Sequence, residues 1–154
     1  MSIVPTRSRA AGTEPPGTGA RRARVLVVFE SGRGGTSALA EGAELAAEGA
    51  ELSVVTLAPQ ASSRCCGPGP GAFNCAVREE AADELREARA ALGAAAQAAS
   101  FTSLAGTPEP PLGAWAREHG FEVILVARRR LARGGGRLAR GLRRDTTAEV
   151  RIVG

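Results

Sequence analysis

The sequence predicts a single α/β domain, a five-stranded parallel sheet with helices on both faces. Three observations carry that prediction. First, Val25-Leu26-Val27-Val28-Phe29 and Phe121-Glu122-Val123-Ile124-Leu125-Val126-Ala127 are apolar runs of strand length, the first without any alternation, as expected of strands buried on both faces. Second, helical stretches separate the strand candidates, giving the order β-α-β-α-β-α-β-α-β. Third, the segment from Gly120 to Gly154 reads as strand, glycine loop, short helix and strand. That is half of a nucleotide-type domain, in which ligands sit where strand ends meet glycine loops.

Residues 1–21 form a tail with Pro5, Pro15, Pro16, Gly12, Gly17 and Gly19 among few apolar residues, and disorder is expected there. The domain proper is 22–154. After the first strand, Glu30-Ser31-Gly32-Arg33-Gly34-Gly35 reads as a loop, with Thr36 or Ser37 capping the next helix. That helix runs to about Gly49 and offers Leu39, Ala43, Ala46 and Ala47 as a narrow apolar face. Glu51 to Leu57 is the second strand, ended by Ala58-Pro59. Ala61 to Asn74 is a Gly/Pro loop, and the second helix follows from about Ala76 to Ala95. Its charges, among them Arg78, Glu79, Glu80, Glu84, Arg86 and Arg89, are assigned to the wet side. Gln97 to Leu104 is a weaker strand broken by Gly106-Thr107-Pro108. Pro110 or Pro111 opens a helix through Trp115 to His119, which Gly120 stops. The closing strand is Glu149-Val150-Arg151-Ile152-Val153, alternating and suited to an exposed edge that invites a second subunit.

Composition narrows the chemistry. All 20 basic residues of the 154 are Arg, so the Lys of a Walker-type phosphate loop and a lysine Schiff base are both excluded. With one His, no Tyr and no nucleophile–base spacing, no catalytic constellation is legible, and the reading is a protein that is not an enzyme. No apolar run is long enough to span a membrane, and no hydrophobic signal core opens the chain, so a cytoplasmic location is expected. Cys65, Cys66 and Cys75 give three sulfurs without a nearby His, an incomplete set for zinc; no metal is expected, and the thiols read as reduced or as an oxidation-sensitive loop.

Four stretches together resemble the universal stress protein family. They are the first strand, loop and small-residue helix (Val25 to Ala47); Leu52-Ser53-Val54-Val55-Thr56-Leu57-Ala58-Pro59; Gly106-Thr107-Pro108 with the helix and Gly120-to-Ala127 strand after it; and the glycine loop, helix and final strand. The resemblance covers about Arg24 to Gly154. It implies the adenine nucleotide alpha hydrolase-like fold, a stress-response or regulatory binding role, and a homodimer through the C-terminal strand.

Family members that bind ATP resemble one another in an Asp at the first strand's end and in G-x-x-G-(nine residues)-G-[ST] after the fourth. Here Glu30 stands at the Asp position and Leu57 where the family offers an apolar adenine contact. In one register of the loop Gly141 is the last glycine, the earlier two fall on Arg128 and Leu131, and Leu142 replaces the hydroxyl residue. In the preferred register Gly136 is the last glycine, Arg137 replaces Ser/Thr, and the loop is several residues short. Glycines there let backbone N–H groups approach phosphate oxygens, and arginines can substitute only by charge. The candidate cofactor-binding residues are therefore Glu30, Leu57, Arg128, Gly134, Gly136 and Arg137. No cofactor is expected to be held tightly, and ATP is left open.

Two alternatives stand beside this reading. One is a member that retains ATP. The other is a nucleic-acid-associated protein using the stripe Arg130, Arg133, Arg137, Arg140 and Arg144, against which stand the interrupting glycines and the lack of interleaved aromatics. The sequence identifies no regulatory partner.

Overall fold

A computed structural model of the chain describes residues 21–62, 69–128 and 135–154. Strands β1 (Arg24–Val28), β2 (Glu51–Pro59), β3 (Ser100–Gly106), β4 (Val123–Ala127) and β5 (Glu149–Val153) pair in parallel in the order β3-β2-β1-β4-β5. Helices α1 (Arg33–Ala47), α2 (Pro70–Leu92), α3 (Leu112–Glu118) and α4 (Gly135–Asp145) make the crossovers. This is the architecture the sequence predicts.

The uninterrupted apolar run of β1 is explained by its place at the centre. Val25 is in register with Leu52 on one side and Val123 on the other, and both faces of the strand are covered. Leu26, Val28, Val55, Ile124 and Val126 pack against Leu112 and Ala116 of α3 and Ala139 and Leu142 of α4. Val25, Val27, Val54 and Leu125 pack against Ala38 and Leu39 of α1 and Ala88 and Leu92 of α2. Each buried Val, Leu or Ile contributes about 1.5–3 kcal/mol, so these two layers dominate the fold's stability. The sheet grows outward from β1 to β3, then restarts on the other side of β1 with β4. The strand order therefore reverses between β1 and β4.

Several expected boundaries move, for reasons that are tertiary. α1 begins at Arg33, not at a Thr36 or Ser37 cap; those hydroxyls donate back to the Gly32 and Arg33 carbonyls from inside the helix. The loop shrinks because Gly35 lets the first turn press onto the end of β1. A Cβ at 35 would land on the Glu30 carbonyl oxygen and 2.9 Å from the Phe29 ring. Gly42 does the same further along, where a Cβ would meet Val27 Cγ2 at 2.7 Å. The buried face of α1 is accordingly Gly35, Ala38, Leu39 and Gly42, while Ala47 is exposed.

α2 starts at Pro70, ahead of the expected Ala76, with proline in the first turn where no N–H is needed. It stops at Leu92, because Gly93 adopts φ 54, and a 3₁₀ turn Gly93–Gln97 follows. β2 carries on through Ala58 and Pro59, and β3 lies a few residues later than Gln97 to Leu104. Trp115 is half-buried at the rim of the core, tilted against Phe121 and His119, and His119 Nδ1 lies 2.8 Å from the Trp115 carbonyl oxygen. The proposed tail through residue 20, Cys65, Cys66, Arg129, Arg130, Arg133 and Gly134 lie outside the described residues.

Candidate functional site

The strand reversal leaves a cleft of about 870 Å³ above the carboxyl ends of β1, β2 and β4. Neighbouring crossovers leave the sheet in opposite directions there, so no described helix covers the strand ends. Its floor is apolar: Val28, Phe29, Leu57, Val126 and Ala127 from the strand ends, with Leu138 and Leu142 from α4. One wall is α2, presenting Val77, Glu80, Ala81 and Glu84; the other is α4, presenting Arg137, Arg140 and Arg144. Glu30, Pro59, Glu109 and Pro110 form the lip.

The acidic wall is tied to the β1–α1 turn. Ser31 N–H donates to Glu84 Oε1 at 3.1 Å, and Ser31 Oγ donates to Glu87 Oε2 at 2.7 Å. Burial raises the Glu84 carboxyl above its ordinary value; the Ser31 N–H works against that, and the nearby carboxylates Glu30, Glu80 and Glu87 add to it. On the basic wall Arg144 pairs with Asp145 at 2.9 Å. Arg137 and Arg140 make no ion pair with a described residue, and neither does Glu80. The two walls thus carry opposite charge around an apolar floor.

Of the residues singled out in the sequence, Glu30, Leu57 and Arg137 line this one cleft. Gly136 sits exposed in the first turn of α4, with open space where a Cβ would go. Arg128 has its backbone wedged beside α1, where a Cβ on Gly34 would meet its carbonyl oxygen at 3.1 Å, and its N–H donates to the Val153 carbonyl at 2.6 Å. Gly134 is outside the described residues. The described members of the arginine stripe, Arg137, Arg140 and Arg144, point their helix face into the cleft.

Sequence reasoning missed Glu80 and Glu84 as site residues. The available signal was phase: Val77, Ala81, Glu84 and Ala88 recur at helical spacing, which puts a carboxylate in the buried stripe of α2. Among the described residues no group of His, Cys, Asp and Glu is arranged to hold a metal, and no helix is long and apolar enough to cross a membrane. Cys75 is exposed on α2, its Sγ 3.8 Å from Glu79 Oε1.

Fold and cleft define the class: a doubly wound parallel α/β domain with a ligand-sized opening at its switch point. Solved structures narrow it. A universal stress protein family structure from Burkholderia pseudomallei matches with TM-score 0.67 and 24% identity, over 88% of this chain and 98% of that one. Universal stress protein UspA from Lactobacillus plantarum matches with TM-score 0.69 and 17% identity, over 88% and 99%. A universal stress protein in complex with cAMP matches with TM-score 0.57 and 20% identity, over 86% and 97%. These likenesses show that the chain has the universal stress protein fold, as the sequence resemblance implies. No family model and no curated protein matches it.

Proposed function

We propose that the chain is a non-catalytic binding module of the universal stress protein type, whose cleft receives a small ligand without holding ATP tightly. The connection between β4 and α4 carries this reading. It spans only residues 128–134, with arginine or leucine at most positions and Gly134 as its one glycine. The glycine pattern of ATP-binding relatives is longer than that span. Its glycines let backbone N–H groups reach phosphate oxygens that a side chain would shield. Among the described residues, this end of the cleft offers guanidinium charge from α4, which can grip an oxyanion but does not cradle a chain of phosphates.

The stress-response role rests on the fold and on the sequence resemblance. One neighbour in fold is in complex with cAMP, a nucleotide with a single phosphate, so adenine monophosphates are natural first probes. The experiment is isothermal titration calorimetry with ATP and Mg²⁺. Affinity weaker than about 100 µM is expected, corresponding to less than about 5.5 kcal/mol of binding free energy. Micromolar binding would overturn the proposal.

A further inference from the structure

We propose that the ligand of this cleft is a zwitterion: an oxyanion held by Arg137 and Arg140, a protonated amine held by Glu80 and Glu84, and an apolar body lying on Phe29, Leu57 and Val126. This rests on the reading of the cleft as the binding site and goes on to name what fits it.

The observation behind it is that Arg137 and Arg140 line the same cavity as Glu80 and Glu84, with no ion pair between them among the described residues. Arg144 shows what happens when a carboxylate is within reach, since it closes on Asp145 at 2.9 Å. Arg137 and Arg140, on the same helix, make no such pair with a described residue, although Glu80, Glu84 and Glu109 line the same cleft. The fold keeps the partners apart, because Glu80 and Glu84 are fixed to α2 on one sheet face while Arg137 and Arg140 are fixed to α4 on the other. A ligand that spans the gap bridges Arg137 and Arg140 to Glu80 and Glu84.

Chemistry then selects between ligand classes. A sugar phosphate or nucleotide would satisfy the arginines, but would bring a negative ligand toward Glu80, Glu84 and Glu109. It would offer them only neutral hydroxyl donors. An ammonium group offers charge-assisted bonds, about twice as strong as neutral ones. Glu84 is consistent with this. Its ionised form is disfavoured by burial and by neighbouring glutamates, and Ser31, its protein donor, is neutral. A cation placed there relieves that cost.

The test is calorimetric titration of the protein with aminohexyl phosphate, hexyl phosphate and hexanediamine, with ATP and Mg²⁺ in the same series. Aminohexyl phosphate should bind about tenfold more tightly than either of the others, the worth of one partly exposed charged contact. The double variant Glu80→Gln, Glu84→Gln should erase its advantage over hexyl phosphate. The double variant Arg137→Gln, Arg140→Gln should erase its advantage over hexanediamine. Hexyl phosphate binding as well as its amine, no binding of aminohexyl phosphate, or an advantage untouched by the glutamate changes would each overturn the inference. If a variant does not fold, the three probes on the unaltered protein decide. Tight ATP binding would count against the function proposed above. Weak ATP binding with no preference for the amine would count against the zwitterion alone.

Discussion

At position 35 the helix backbone of α1 touches the end of β1, and a methyl group there would overlap the Glu30 carbonyl oxygen. Backbone on backbone leaves nothing soft to move. Gly35→Ala is expected to lower stability by about 1–3 kcal/mol in urea unfolding, the usual range for overpacking. Gly141 is the control: it lies inside α4 with nothing within 4 Å of the added atom. Gly141→Ala should raise stability by about 0.5–1 kcal/mol through helix propensity alone. Glu84 supplies a pH prediction. Its carboxyl is raised in the folded state, first by burial and then by neighbouring carboxylates. The folded protein therefore binds this proton more tightly than the unfolded chain. The contribution is fully present below the ordinary glutamate value near 4.5 and is lost as pH rises through the folded value. Unfolding curves of the native chain and of Glu84→Gln should accordingly diverge as pH increases from 4 to 7, with the native chain losing ground to the variant. A difference that is flat with pH would contradict that account of Glu84.

At the scale of elements, the strands were the most legible part of the sequence and the helix starts the least. β1 and β4 announce themselves because central parallel strands need apolar side chains on both faces, a demand written into consecutive residues. The start of α1 is not local. Thr36 and Ser37 satisfy the capping rule, yet the helix begins earlier because Gly34 and Gly35 permit contact with residues that are distant in sequence or on the other side of the turn. The cleft divides the same way. Glu30 and Leu57 can be placed because the family resemblance assigns contacts to these two strand ends, whereas Glu80 and Glu84 look like solvated charge until the phase of α2 is known. That phase is fixed partly by Thr56, a buried hydroxyl on β2 that donates to the Ala81 carbonyl at 2.9 Å. Thr56→Val keeps the shape and removes the bond. It should cost about 1 kcal/mol and weaken ligand binding through the displaced α2 wall. Unchanged stability and unchanged binding would show that α2 is positioned by packing alone.

For the whole molecule, the asymmetry of the sheet matters. β5 is an edge, with its outer backbone free of any described partner and Ile152 exposed at 42%. A second hollow, about 480 Å³ between α1 and β5, is lined by Glu41, Glu44, Glu48 and Arg151. There Arg151 is already neutralised by Glu41 at 3.3 Å and Glu149 at 2.9 Å, which leaves no uncompensated cation for a ligand. We propose that the edge itself pairs with a second copy, since an unpaired edge with an exposed apolar side chain is otherwise an aggregation hazard. Light scattering behind a sizing column should give twice the chain mass, and Ile152→Glu should give the monomer. A monomeric native chain would refute it.

We propose that the universal stress protein fold here keeps its cleft without the glycine pattern that cradles a phosphate chain. Measuring AMP and ATP affinities side by side, each with and without Mg²⁺, isolates what the β- and γ-phosphates contribute. Affinities equal within about threefold and independent of the metal are expected, because the 128–134 sequence is shorter than the glycine pattern of ATP-binding relatives and holds one glycine. ATP binding tenfold or more above AMP, and only with Mg²⁺ present, would contradict it.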